Sequence, residues 1–125
     1  MSSALYIDVP WLLERRDEVL PGRPAVDDFS ALAAAVTRHR VDPPMLGVDS
    51  DPAWRAAALL HTLALLKPLP AANARFACAT AVAYMSVGGA AVDPPVGALV
   101  GLVRDLLSGA ADVGDAAERL RSWRI

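Results

Sequence analysis

Apolar residues recur at helical spacing along almost the whole chain, in runs separated by proline and glycine breaks. Asp8 and Pro10 predict a helix start, since Asp caps free N–H groups and Pro tolerates the first turn. Trp11, Leu12, Leu13, Arg16, Val19 and Leu20 then mark one face of a short amphipathic helix, which Pro21-Gly22-Arg23-Pro24 stops. A second helix is expected from about Asp27 to Arg40, with Phe29, Leu32, Ala33, Ala35 and Val36 on its apolar side. Pro43, Pro44 and Gly47 make residues 41–50 a loop or a short extended flap.

Asp51-Pro52 starts a third helix that runs to about Leu66 and is apolar on most sides. The fourth, from about Asn73 to Val87, is apolar nearly all round, which predicts a place at the centre of a bundle. Gly88-Gly89 can end it. Asp93-Pro94-Pro95 is expected to start a fifth helix through Val96, Leu99, Val103 and Leu107, ending at Ser108-Gly109. A sixth runs from about Asp112 to Trp123 with Val113, Ala116, Ala117, Leu120 and Trp123 inward. The reading is all-α: one compact domain over 1–125, about six helices around a central buried helix, with a short flap-like segment.

Composition agrees. Hydrophobic residues make up 54% of the 125, and alanine leads them, which favours helix over sheet. A net charge of −2 with mixed signs gives no electrostatic case for nucleic acid or an anionic membrane. The apolar runs fall short of the ~18–20 residues of a membrane span, and the N-terminus has no basic segment leading into an apolar one. The expectation is a cytoplasmic protein with no membrane or nucleic-acid partner. The single cysteine, Cys78, reads as a small core residue.

Several chemistries are excluded. His39 and His61 have no Cys or carboxylate at metal-ligand spacing. His61 reads as a hydrogen-bonded residue in or near the core. His39, between Arg38 and Arg40, reads as a cation at a solvated helix end. No Walker A loop and no nucleophile elbow occur. A helix-turn-helix lacks its basic recognition helix.

The nine residues Lys67-Pro68-Leu69-Pro70-Ala71-Ala72-Asn73-Ala74-Arg75 stand out. They form a two-proline loop ending in Asn-x-Arg at the start of the fourth helix. A helix N-terminus presents unpaired N–H groups and a partial positive charge, so Asn73 and Arg75 beside it would complete a phosphate cradle. Equally, Asn73 could cap the helix, Arg75 could lie on its exposed first turn, and Lys67 could be an ordinary cation at a helix C-terminus.

This loop resembles the Fic/Doc family motif, His-x-Phe-x-(Asp/Asn/Glu)-(Gly/Ala)-Asn-(Gly/Lys)-Arg. The order of helices on both sides is similar to that family, and the closing Ala111-Asp112-Val113-Gly114-Asp115-Ala116-Ala117-Glu118-Arg119-Leu120 resembles its Doc toxin branch. The resemblance implies a Fic/Doc-type helical bundle. It also implies transfer of AMP, or in Doc a phosphate, from a nucleotide to a protein hydroxyl. Such transfer needs a general base, a carboxylate for magnesium, a backbone cradle and an arginine.

Asn73 and Arg75 match the family's phosphate-site residues. Lys67 stands where the catalytic His belongs, Leu69 replaces the anchoring Phe, and Ala71 stands at the magnesium carboxylate position, so no metal ligand is expected. Ala74 replaces Gly or Lys. An ammonium near its ordinary pKa of ~10.4 is a poor base at neutral pH, and loss of the base alone costs about 10²–10⁴ in rate. The expectation is a Doc-like component of a toxin–antitoxin pair, or a derivative of one, whose transfer is lost or much weakened. No cofactor is fixed by this reading; ATP is the candidate, and magnesium is not expected. An antitoxin or a target protein is the implied partner. No Ser/Thr-x-x-x-Glu-Gly/Asn inhibitory helix occurs in the chain. The rival readings are a pseudoenzyme that binds another protein and a slow, divergent nucleotidyl- or phosphotransferase.

Overall fold

The computed structural model describes residues 4–43, 47 and 50–125. Among them are six helices: α1 (Val9–Val19), α2 (Phe29–Arg40), α3 (Pro52–Leu66), α4 (Asn73–Val87), α5 (Ala98–Ser108) and α6 (Val113–Ser122). The described residues contain no strand, only one antiparallel bridge between Val92 and Arg124. The chain is an all-α bundle, as the hydrophobic pattern predicts. None of the described helices is long and apolar enough to cross a membrane. The flap-like segment expected over 41–50 lies largely outside the described residues.

Aspartates start four of the helices. Asp8, Asp28, Asp51 and Asp112 each accept a backbone N–H from the first turn of their helix. Each satisfies a donor that the helix itself cannot. At α6 the arrangement is reciprocal: Asp112 accepts from the Asp115 N–H at 2.8 Å, and Asp115 accepts from the Asp112 N–H at 3.0 Å.

The helix at the centre is α3, not α4. From Ala53 to Ala64 every α3 residue except His61 is buried, and α2, α4, α5 and α6 all pack on it. Its alanines, Ala53, Ala56, Ala57 and Ala58, let neighbouring helices approach closely, while Leu59, Leu60 and Leu63 fill the space between them. By contrast, α4 buries one face, through Phe76, Ala77, Thr80, Ala81, Tyr84 and Met85. Its remaining alanines and Val87 are half-buried or exposed. Alanine counts as apolar in a sequence pattern but presents so little surface that exposing it costs almost nothing. That is why α4 reads as buried all round when it is not.

The end of α4 lies against the start of α3. A Cβ on Gly88 would come within 3.2 Å of the Pro52 Cβ and 3.1 Å of the Tyr84 carbonyl oxygen, so a larger residue would need its neighbours to give by a few tenths of an ångström. The two helices are therefore antiparallel, and the Lys67–Ala72 turn joins their other ends.

The fifth helix starts later than Asp93-Pro94-Pro95 predicts. The Asp93 N–H donates to the Trp123 carbonyl at 2.8 Å, and the Ile125 N–H donates to the Ala91 carbonyl at 3.0 Å. These bonds hold 91–93 extended against the chain after α6, and the residue before a proline favours that conformation. Helix begins only after Gly97, whose φ of 81° turns the chain.

Candidate functional site

The Lys67–Arg75 loop is held by backbone and by one side chain. Lys67 ends α3 in the left-handed conformation, φ 48°, with its N–H on the Leu63 carbonyl at 3.1 Å. The Pro68 carbonyl accepts the Asp27 N–H at 2.8 Å, which ties the loop to the α1–α2 connection. Leu69 is fully buried and anchors the loop in the core. Ala72 is left-handed, φ 58°, and caps α4 with no side-chain acceptor.

Asn73 is the first residue of α4, so it does not cap the helix. Its amide reaches back instead. Nδ2 donates to the Leu63 carbonyl at 2.9 Å, and Oδ1 accepts the Leu69 N–H at 3.3 Å. Both ends of the side chain are thus engaged in holding the loop to α3.

Lys67 and Asn73 share a depression of about 280 Å³ with Leu69, Ala74, Val103 and Leu107. Arg75 borders the neighbouring depression, about 420 Å³, with Cys78, Leu99 and Val100. The structure therefore places the three sequence-predicted residues around one end of the α4–α5 seam, with Lys67 and Arg75 on separate dents. Both cations are exposed, and neither makes an ion pair among the described residues.

The loop carries no carboxylate, imidazole, hydroxyl or thiol. Ala71 is exposed and supplies no ligand, and no cluster of three or more His, Cys, Asp or Glu side chains able to hold a metal occurs among the described residues. These residues do not fit magnesium. The nearby thiol of Cys78 is only half-buried, short of the core position expected for it, and burial pushes its pKa up, so it is a thiol rather than a thiolate.

A larger cleft, about 730 Å³, opens at the other end of α3 between Tyr6, Asp42, Ser50, Asp51, Arg55 and Tyr84. Its floor is Arg55, only 3% exposed. Arg55 Nη1 donates to the His39 carbonyl at 2.6 Å, and Nη2 donates to Asp42 at 3.1 Å and to the Ser50 hydroxyl. The guanidinium carbon lies 5.1 Å from the centre of the Tyr6 ring, within cation–π range. Asp51 in turn is forked by Arg121, at 2.8 and 2.9 Å. Among the described residues, Arg55 pairs with Asp42 and Asp51 with Arg121, which lies outside the cleft lining, while Arg55 Nε is buried without a partner. Nothing in the loop motif points to this cleft. The one signal in the sequence is that Arg55 is the only charged residue of α3.

The histidines differ from each other. His39 is fully buried rather than solvated: Nε2 accepts the Ile7 N–H at 3.0 Å while Nδ1 bonds the Val36 carbonyl. That pairing requires the neutral ring with its proton on Nδ1. Burial, with help from Arg40 and Arg55, lowers its pKa against the opposing pull of the Val36 carbonyl. A helix-end cation is therefore the wrong description, because the N-terminal segment folds over the end of α2 and excludes water. His61 is half-buried, as expected, with Nδ1 2.7 Å from Arg38 Nη1; burial and Arg38 lower its pKa too.

No protein-family model and no curated protein matches this chain.

Proposed function

We propose that this chain is a Doc-like, Fic-type protein that has lost nucleotide-dependent transfer and acts in the cytoplasm by binding another protein, as a toxin component of a toxin–antitoxin pair or a derivative of one. The observation that carries the reading is the engagement of Asn73. The residue that matches the family's phosphate-site Asn spends both ends of its amide on Leu63 and Leu69. With a lysine at 67 and an alanine at 71, neither a neutral base nor a metal ligand stands beside it. The partner is an antitoxin or a former target protein. A net charge of −2 with mixed signs along the chain supports a protein partner over nucleic acid.

One observation favours a second reading, slow and divergent transfer. The first turn of α4 has no side-chain cap, and the exposed Arg75 is on it, so an anion could still meet N–H groups and a cation there. Calorimetric titration with ATP, with and without magnesium, run beside a radiolabel-transfer assay, separates the two. The binding-module reading expects no transfer and no magnesium-dependent binding. Labelled product from the unmodified protein, lost on Arg75→Ala, would overturn it.

A further inference from the structure

The two depressions beside the loop share Ala74 and Val103 and so form one groove along the seam of α4 and α5. Its α5 wall carries Val100, Val103 and Leu107, spaced i, i+3 and i+7; Val100 is 62% and Leu107 46% exposed, and Val103 between them is a buried floor. Its α4 wall is Ala74 and Cys78, one turn apart. From Leu99 to Leu107 the wall is about 12 Å long by helical rise, the span of two helical turns. Two exposed apolar side chains two turns apart, over a buried valine and beside a row of small residues, fit the receptor half of a helix-in-groove contact.

The rim is positive although the chain as a whole is negative. Lys67 and Arg75 stand at the groove, and Arg104 is exposed on α5 one turn from Val100. None of the three makes an ion pair or a side-chain hydrogen bond among the described residues. The acidic residue nearest in sequence on α5, Asp105, is taken by Arg119 at 2.9 Å. A second copy docked by two-fold symmetry would set these cations against one another.

From this we infer that the α4–α5 groove is the docking site for an amphipathic helix of a partner protein, with an apolar stripe that packs on the exposed Val100 and Leu107 and with flanking carboxylates that meet Lys67, Arg75 and Arg104. The inference names the partner chemistry for the binding-module reading and rests on it.

The probe is a fluorescein-labelled helical peptide of about 18 residues, with leucines at i, i+3, i+4 and i+7 and glutamates beside them. Its control carries lysines in place of the glutamates. Anisotropy with the full chain is expected to give saturable binding of the acidic peptide and at least about tenfold weaker binding of the basic one at low salt, a gap that narrows at high salt. Amide chemical-shift changes are expected at Ala74, Val100, Val103 and Leu107. Val100→Lys changes an exposed side chain, and its fold is checked by circular dichroism; it is expected to weaken binding by about tenfold or more. The double reversal Lys67→Glu/Arg75→Glu is expected to invert the peptide preference.

Equal binding of the two peptides would overturn the inference. So would shifts confined to the Arg55 cleft, or no binding of the acidic peptide at millimolar concentration. Sedimentation showing a dimer that Val100→Lys dissociates would assign the groove to a second copy, and would also overturn it. Nucleotide transfer by the protein counts against the binding-module reading alone, and failure of the peptide without transfer counts against the groove alone.

Discussion

The side-chain amide of Asn73 donates to the carbonyl of Leu63 at 2.9 Å, which fixes the first residue of α4 to the last turn of α3. The same carbonyl receives the Lys67 N–H, and the other end of the Asn73 amide receives the Leu69 N–H. Asn73→Ala leaves the partly buried Leu69 donor without its acceptor, and is expected to lower unfolding stability by about 1–3 kcal/mol. Asn73→Asp keeps the acceptor for Leu69 but turns a carboxylate oxygen on the Leu63 carbonyl, so it is expected to cost at least as much. Urea unfolding of the three proteins checks the order. A neutral Asn73→Ala would mean the amide is free for a ligand.

Acid should destabilise the protein in a range where surface carboxylates are silent. His39 and His61 both titrate below their ordinary 6.5, mainly because burial penalises the charged ring. The unfolded chain then takes up protons before the folded one does, so stability is full above pH 6.5 and falls as the pH drops below it towards the folded pKa values. The midpoint of thermal unfolding is expected to hold from pH 7.5 to about 6.5 and to decrease from there to pH 5. His61→Gln should remove part of that slope and leave the part due to His39. A flat profile across this range would contradict the buried, neutral pairing of His39 with Ile7 and Val36.

The helices were legible because their ends are chemical. Asp8, Asp51 and Asp112 announce starts, and the runs of leucine and alanine after them announce helix. The centre of the bundle was not legible, because α3 and α4 are equally rich in alanine and only packing decides which is surrounded. The start of α5 was missed for a tertiary reason, the pairing of 91–93 with residues after α6. In the candidate site, the loop and its three polar residues could be located from the motif-like spacing. What Asn73 does there could not, since its partner Leu63 lies ten residues back and becomes a neighbour only once the Lys67–Ala72 turn forms. The burial of His39 depends likewise on Ile7, 32 residues away.

Asp51 holds two jobs that substitution can separate. It caps α3 through the Trp54 N–H at 3.0 Å and pairs with Arg121, 70 positions away, through both oxygens. Asp51→Asn keeps a capping acceptor and loses the charge, with an expected cost of about 0.5–1.5 kcal/mol that shrinks at high salt. Asp51→Ala loses both, with an expected cost of about 1–3 kcal/mol. Burial raises the Asp51 pKa, but Arg121 and the Trp54 N–H outweigh it and leave it lowered. Its contribution is therefore present above pH 3.8 and is lost only as the pH falls below that, outside the histidine range. Equal effects of the two variants would show that the pair, rather than the cap, carries the stability.

Thr80 faces the core from α4 with its hydroxyl buried and unpartnered among the described residues. Thr80→Val replaces that hydroxyl with a methyl of similar size and is expected to be neutral or stabilising by up to about 1 kcal/mol. Thr80→Ser keeps the hydroxyl and removes the methyl, and is expected to destabilise by about 0.5–1.5 kcal/mol. Denaturant midpoints measure both. A loss of stability in Thr80→Val would mean that the hydroxyl has a partner, such as a buried water.

Under the proposed Doc-like reading, introducing the Fic/Doc chemical groups should not create transfer. In Lys67→His/Ala71→Asp the new imidazole would stand at a left-handed helix end and the new carboxylate on an exposed turn, one residue from another left-handed position. Both groups would be present, yet Asn73 would still be bound to Leu63 and Leu69, and Leu69 would still be packed in the core where the family has a phenylalanine. The Asn73 amide, not only the base and metal ligand, would be held away from a phosphate. The double variant is therefore expected to stay folded and to show no transfer of label from ATP with magnesium above that of the parent. Groups displaced by about 1 Å from a productive geometry lose about 10²-fold in rate, so two side chains without their supporting contacts gain little. Robust transfer by the double variant would show that only the reacting groups had been lost and that Asn73 can let go of Leu63 to meet a phosphate.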